Sequence, residues 1–260
     1  MLLFLIFTIA SATVDRWFQL QPTEWARAGA SCEHIAVMFS DATWLDLTMQ
    51  TAAELRPACV ALWLWLDNNS SAVPWCDNNL CFVDRSASHT NDWGTGRYFS
   101  KISMRVPIMR ALIERLPLDD KRGIALVDSD IVFFRRNALA RFEQAHTTLA
   151  IQQERPCHSL WCVNGGLWWV RRTEHGRRLL RSVEFIMNRL AVPDQDAFEV
   201  ALAFRNVTVH HLDAQRFPNG WTFQNNNLIR NAHLVLLNWM PFSAKVAVAA
   251  QLRRRSRNLN

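Results

Sequence analysis

The chain has 260 residues, half of them hydrophobic and a fifth charged, which is enough apolar material for an enzyme-sized core and excludes a disordered chain. Its 29 basic and 23 acidic residues leave a net charge of +6, with much of the excess in the terminal RRRSR. No basic stripe interleaved with aromatics runs along it, so a nucleic-acid partner is set aside. In chain order, residues 1–12 (MLLFLIFTIASA) form a short apolar run ending in small residues. That is the pattern of a secretory leader cut near Ala12, although no Lys or Arg precedes it. The run is shorter than the roughly 20 residues a membrane span needs, so a short anchor is the lesser reading and the only expected route to a membrane.

A continuous α/β domain is expected over residues 34–251, with residues 252–260 as a solvated basic tail. HIAVMFS ends in Ser40 and Asp41 and reads as a first strand; ATWLDLTMQTAAEL has helical spacing; ACVALWLWLD reads as a buried strand. Residues 67–97 look like an insertion or long surface loop. SKISMRVPIMRALIERL is helical, broken or kinked at Pro107. GIALVDSDIVFF, residues 123–134, is an apolar strand that presents two carboxylates. TTLAIQQ, NVTVHHL and HLVLLNW are further strands, VNGGLWWVRR joins a glycine turn to an apolar run, and TEHGRRLLRSVEFIMNRL and PDQDAFEVALAF are helices. RFPNGWTF reads as a turn. Strands alternating with helices predict a mostly parallel sheet, and ligands bind such sheets beyond the carboxyl ends of the strands.

Six cysteines suit an oxidising compartment. Cys76 and Cys81 form one close pair and Cys157 and Cys162 another, leaving Cys32 and Cys59, but spacing does not fix the pairing. A zinc site from the two C-x4-C pairs fits less well, because structural zinc spacings are commonly C-x2-C and no helical histidine pair accompanies these. Sequons at Asn68, Asn69 and Asn206 agree with a secretory route.

Asp128 and Asp130 are two apart, so an extended backbone points both to one side. Like charges so placed need water or a cation. They are either an exposed strand end, paired with Arg135 or Arg136, or the anchor of a divalent metal. Lys101 and Arg105 share a helical face and would meet an anion, hold the aspartates, or make a solvated basic surface. Asn164, Gly165 and Gly166 predict a tight turn, either an ordinary hairpin or one that lets the backbone approach a ligand. Asp194 is an N-terminal cap, a site residue, or both.

The ordered series ALVDSDIVFFRR, NGGLWWVRR, DQDAF, LDAQRFPNG and LNWMPFSAK, following a helix with Lys101 and Arg105, resembles the nucleotide-diphospho-sugar transferases of the GT-A fold. It looks most like the plant and algal group of xylosyl- and arabinosyltransferases. The resemblance spans roughly residues 35–245. It implies a single GT-A domain, a lumenal, Golgi-type location, and transfer from a nucleotide-diphosphate donor, UDP-linked, to a glycan or glycoprotein with retention of configuration. It implies Mn²⁺ or Mg²⁺ on Asp130, with Asp128 joining the metal or contacting the donor. Asp194 and Gln195 would face the transferred sugar as catalytic residues. Ser40, Lys101, Arg105, Asn164, Gly165, Gly166 and Lys245 would bind the donor. One departure stands out: the family often places a metal-ligating histidine two residues before the Asn of its last motif, and here that position is Leu236. His233, three residues earlier, faces the other side of a strand. His210 and His211 read as structural. Trp168, Trp169, Trp221 and Trp239 flank the motifs, with at most one or two expected in an acceptor groove and the rest in the core.

Two rival readings follow the residues. A haloacid-dehalogenase-type phosphatase also carries D-x-D after an apolar strand, but on its first strand, whereas here at least two strands come first. A protein that binds a sugar nucleotide or carbohydrate with weak or no turnover is kept in view by Leu236.

Overall fold

The computed structural model describes residues 12–55, 59–66, 76, 80–85, 96–135, 138–142, 147–154, 162–204, 207–220, 222–223, 232–238 and 240–257. Residues 1–11 of the leader, the sequons at Asn68, Asn69 and Asn206, Arg136, Cys157, Trp221 and Trp239 lie outside them.

Apolar runs with few polar interruptions become strands buried on both faces, as parallel sheets require. Seven of them form one sheet in the order β3-β2-β1-β4-β7-β6-β8. These are β1 (His34–Asp41), β2 (Cys59–Trp65), β3 (Leu80–Asp84), β4 (Gly123–Val127), β6 (Leu149–Gln153), β7 (Val163–Arg171) and β8 (Val209–Leu212). β3, β2, β1 and β4 are parallel to one another; β7 is antiparallel to both its neighbours β4 and β6; β8 is parallel to β6. β5 (Ile131–Phe133) and β9 (Leu234–Leu236) make a separate antiparallel pair.

Alternate residues of β1 point into two cores. Ile35 and Val37 join α1 (Pro22–Ser31), α3 (Gly96–Arg115), α4 (Glu174–Leu190) and α5 (Asp194–Phe204) on one face. Ala36 and Met38 join α2 (Leu45–Glu54) and the β5–β9 pair on the other. A third cluster seats α6 (Phe242–Arg257), through Ala249 and Leu252, against Val132, Phe134 and Val235.

Several expectations change. Packing extends upstream of residue 34: residues 12–20 are helical, and Val14, Trp17 and Trp25 are fully enclosed, with Trp17 edge-on to Trp25 and Trp63. The stretch 67–97 contains a buried edge strand, β3. Pro107 lies inside a continuous α3, held between the buried side chains of Val106 and Ile108. Residues 123–134 do not form one strand: the chain turns at Ser129–Asp130, and β4 and β5 enter different sheets. Asn164, Gly165 and Gly166 lie within strand β7 rather than in a turn. The expected solvated tail is in part the last turns of α6, with Leu252 and Arg253 buried.

Disulfides join Cys32 to Cys59 and Cys76 to Cys81, and Cys162 is also disulfide-bonded, so these thiols are not zinc ligands. Among the described residues no helix is long and apolar enough to cross a membrane.

Candidate active site

The carboxyl ends of β1, β4 and β6 and the start of antiparallel β7 meet above the sheet, and the polar residues gather there. Asp128 leaves β4 with its backbone N–H donating to the Gly166 carbonyl across the β4–β7 pair, 2.9 Å. Ser129 then turns inward. Its hydroxyl donates to the Phe39 carbonyl at 3.1 Å and lies 2.7 Å from Thr48 Oγ1. With the middle residue anchored in the interior, Asp128 stays partly exposed and Asp130 is buried.

Each meets a cation. Arg105 Nη2 lies 2.9 Å from Asp128 Oδ1, and Lys245 Nζ lies 2.6 Å from Asp130 Oδ2. Arg105 is buried, and it also donates to the Gly165 carbonyl at 2.7 Å and approaches Asp194 Oδ2 at 3.8 Å. One guanidinium from α3 thus ties β4, β7 and the first turn of α5 together. Asp194 Oδ1 accepts the Gln195 N–H at 2.9 Å, so it caps its helix and faces the site at once. Gln195 Oε1 accepts the Gly165 N–H at 3.4 Å.

The two glycines are required by contact, not by backbone angle. A Cβ on Gly165 would come to 3.0 Å from Asp194 Oδ1, and one on Gly166 to 2.4 Å from Asp128 Oδ2. Asn164 Oδ1 accepts the Gly166 N–H, and its amide group donates to Glu154 at the end of β6. Asn238, after β9, reaches Glu154 at 3.5 Å and accepts the Gly220 N–H at 2.7 Å.

Electrostatics mark the same place. Burial, reinforced by Asp130 and Asp194 and opposed by Arg105 and Lys245, raises the Asp128 pKa to about 7. Burial also raises that of Asp194, against Arg105. Asp128, Asp130 and Asp194 thus set three carboxyl groups against the two cations Arg105 and Lys245.

A divalent cation suits that imbalance, and carboxylate oxygens suit a hard one. Among the described residues no group of three or more His, Cys, Asp or Glu is arranged to hold a metal. Asp128 and Asp130 could supply one or two carboxylate oxygens to a cation of the Mg²⁺ type, which takes phosphate oxygens and water for the rest of its shell. Leu236 is buried in β9 opposite Ile131, and its side chain belongs to the core. His233 lies beside Phe134 and stacks on Phe217, four residues and roughly 13 Å along the strand from Asp130. It does not replace the histidine.

The expected site residues divide into two groups. Arg105, Asp128, Asp130, Asn164, Gly165, Gly166, Asp194, Gln195 and Lys245 come together. Ser40 is engaged elsewhere: its hydroxyl donates to the Asp41 carbonyl at 3.1 Å and lies 2.8 Å from Thr48 Oγ1. Lys101 pairs with Asp41 at 3.5 Å and sits over the Trp65 ring, one strand away from Asp128. Trp168 and Trp169 are fully buried, so neither lines a groove. His210 and His211 lie on β8, with pKa values lowered by burial. Glu154 and Asn238 were not anticipated. Only the strand boundary after IQQ and the N-W of the last motif pointed toward them.

Residues 72–241 match the model of the nucleotide-diphospho-sugar transferase family, and the chain belongs to that family. This membership also sets aside the dehalogenase-type phosphatase reading. The fold is GT-A: two crystal structures of the glycosyltransferase GlyE from Streptococcus pneumoniae TIGR4, one of them the apo form, are similar to it. TM-scores are 0.50 and 0.51 at 12% identity, over 84% of this chain. This chain spans 60% of the length of each GlyE chain. No curated protein matches it in sequence.

Proposed function

We propose that this protein is a metal-dependent glycosyltransferase that moves a sugar from a UDP-linked donor to a glycan or glycoprotein. The observation that carries this reading is the convergence of three carboxyl groups, Asp128, Asp130 and Asp194, on the two cations Arg105 and Lys245. In the transfer, the bond from the anomeric carbon to the diphosphate oxygen breaks and the acceptor hydroxyl oxygen bonds to that carbon. The hydroxyl proton departs with the diphosphate. Mn²⁺ or Mg²⁺ on Asp130 and Asp128 would supply Lewis-acid stabilisation of the charge on the leaving group. Arg105 and Lys245 add fixed positive charge beside it. The Asp194 carboxylate and the Gln195 amide oxygen face the sugar, where negative potential favours a carbon that turns cationic. Gly165 and Gly166 let the Asp194 and Asp128 carboxylates lie against the β7 backbone, which sets them beside the donor. Retention of configuration belongs to this reading through the family resemblance.

Disulfides within the domain support a secretory-pathway lumen, with a Golgi-type setting for a glycan acceptor. Buried Leu236 favours a second reading, a protein that binds sugar nucleotide with little turnover. Calorimetric titration with UDP, with and without Mn²⁺, beside Asp130→Ala, tests the first. Metal-dependent binding lost in the variant supports it, and equal binding by the variant removes Asp130 from the site. Turnover of a bound donor then separates the two readings.

A further inference from the structure

We propose that the C-terminal helix α6 is a positioning element of the donor site, acting through Arg253, whose guanidinium holds the backbone of the D-x-D loop in place. The proposal rests on the donor-site reading above. Arg253 lies in what the sequence presents as a solvated basic tail, yet it is 8% exposed. Its Nε pairs with Glu54, Nη1 donates to Gln50 Oε1 at 3.0 Å, and Nη2 donates to Thr51 Oγ1 at 3.1 Å and reaches the Ile131 carbonyl at 3.5 Å. The other oxygen of Glu54 accepts the Phe133 N–H at 3.0 Å. Thr51 Oγ1 is 3.0 Å from the Ser129 carbonyl and 2.8 Å from that of Ile131. The Asp130 carbonyl accepts the Leu237 N–H at 3.0 Å.

The Asp130 carbonyl is therefore held by Leu237, and the Arg253–Thr51 unit offers donors to the Ile131 carbonyl, with the single Thr51 hydroxyl proton also within reach of the Ser129 and Leu47 carbonyls. Lys245, on the same helix about 12 Å away by helical rise, holds the Asp130 side chain. Ala249 and Leu252 press the helix into the core between these two grips. A carboxylate that must meet a cation and a diphosphate needs its backbone fixed to within about 0.5 Å. Without Arg253, the Glu54 carboxylate loses an ion pair and the Ile131 carbonyl a donor, and the turn carrying Asp130 loosens. Arg253 touches no reacting atom; it positions Asp130 through Ile131.

The test is made on the full chain with Arg253→Lys, Arg253→Met and the exposed Arg254→Met. Hydrogen exchange reads the loop directly: Phe133 and Leu237 amides should exchange faster in Arg253→Met, partly recover in Arg253→Lys, and stay unchanged in Arg254→Met, with β1 amides unaffected. UDP titration at varied Mn²⁺ should show an apparent metal affinity about 10-fold weaker in Arg253→Met, again partly restored by lysine. Unchanged exchange at Phe133 and Leu237 overturns the proposal. So does unchanged metal-dependent UDP affinity with only a lower melting temperature. Where Arg253→Met does not fold, Arg253→Lys and Glu54→Gln carry the same two measurements. If the wild type binds no UDP with Mn²⁺, the donor-site reading fails, while exchange still decides whether α6 holds the loop.

Discussion

At the scale of single residues, the site depends on carboxylates brought together against their own repulsion. Gly166 shows how tightly they are set: Gly166→Ala would drive a methyl group to 2.4 Å from Asp128 Oδ2, so one of the two must move. That variant should fold, because Leu167, Trp168, Trp169 and Val170 keep the rest of β7 buried in the core, and should lose UDP–Mn²⁺ affinity measured by calorimetry. Asp194→Asn removes a negative charge beside Arg105 while keeping an oxygen to cap α5. It should cut kcat by about 100-fold or more with a much smaller change in donor KM, read in a steady-state transfer assay. Equal kcat would make Asp194 a cap alone. The sequence makes the carboxylates visible because D-x-D, D-Q and N-G-G are local patterns. Ser40 misleads for the same reason: its position at a strand end is local, but the direction of its hydroxyl is set by Thr48 on another element.

At the scale of elements, α3 and α4 pack through buried charge. Glu184 on α4 pairs with Arg110 on α3, and burial raises its pKa from 4.5 to about 7 despite that pair. The folded state therefore keeps a proton that the unfolded chain releases above pH 4.5. Its contribution to stability is largest below pH 4.5 and is lost as pH rises to about 7. The shift corresponds to about 3 kcal/mol at most. Glu184→Gln should flatten this part of the pH dependence, so that its melting temperature relative to wild type is higher at pH 8 than at pH 4.5. Parallel melting curves across that range would show that Arg110 compensates the charge fully. Element identity was legible where periodicity was strong: β1, β2, α2, α4 and α5 follow their apolar patterns closely. It was not legible at residues 123–134, where one apolar run serves two sheets. The break there depends on Ser129 reaching Phe39 and Thr48, contacts that no local pattern encodes.

At the scale of the whole molecule, the doubly covered sheet is locked near its start. The Cys32–Cys59 disulfide closes 27 residues around β1 and α2, against 5 for Cys76–Cys81. Loop-closure entropy assigns the longer loop about 3.5 kcal/mol and the shorter about 2 kcal/mol. Replacing Cys32 and Cys59 together by serine should therefore lower stability in denaturant titration by more than replacing Cys76 and Cys81. The opposite order would place the second bond as the main lock. The helical segments upstream of residue 34 add Val14, Trp17 and Trp25 to the same core, so the folding unit is larger than the motif series implies.

The sequence by itself determined the α/β class, the family resemblance and most of the site, because strand-end motifs in parallel sheets fall on one edge whatever the loops between them do. Only the tertiary structure decided which cation serves which carboxylate. Arg105 spans 23 residues to Asp128 and 89 to Asp194, and Lys245 spans 115 to Asp130. It also decided that Leu236 belongs to the core and that Arg253 is not part of a tail. These outcomes depend on distances across the fold and on competition between burial and charge, neither of which a local pattern contains.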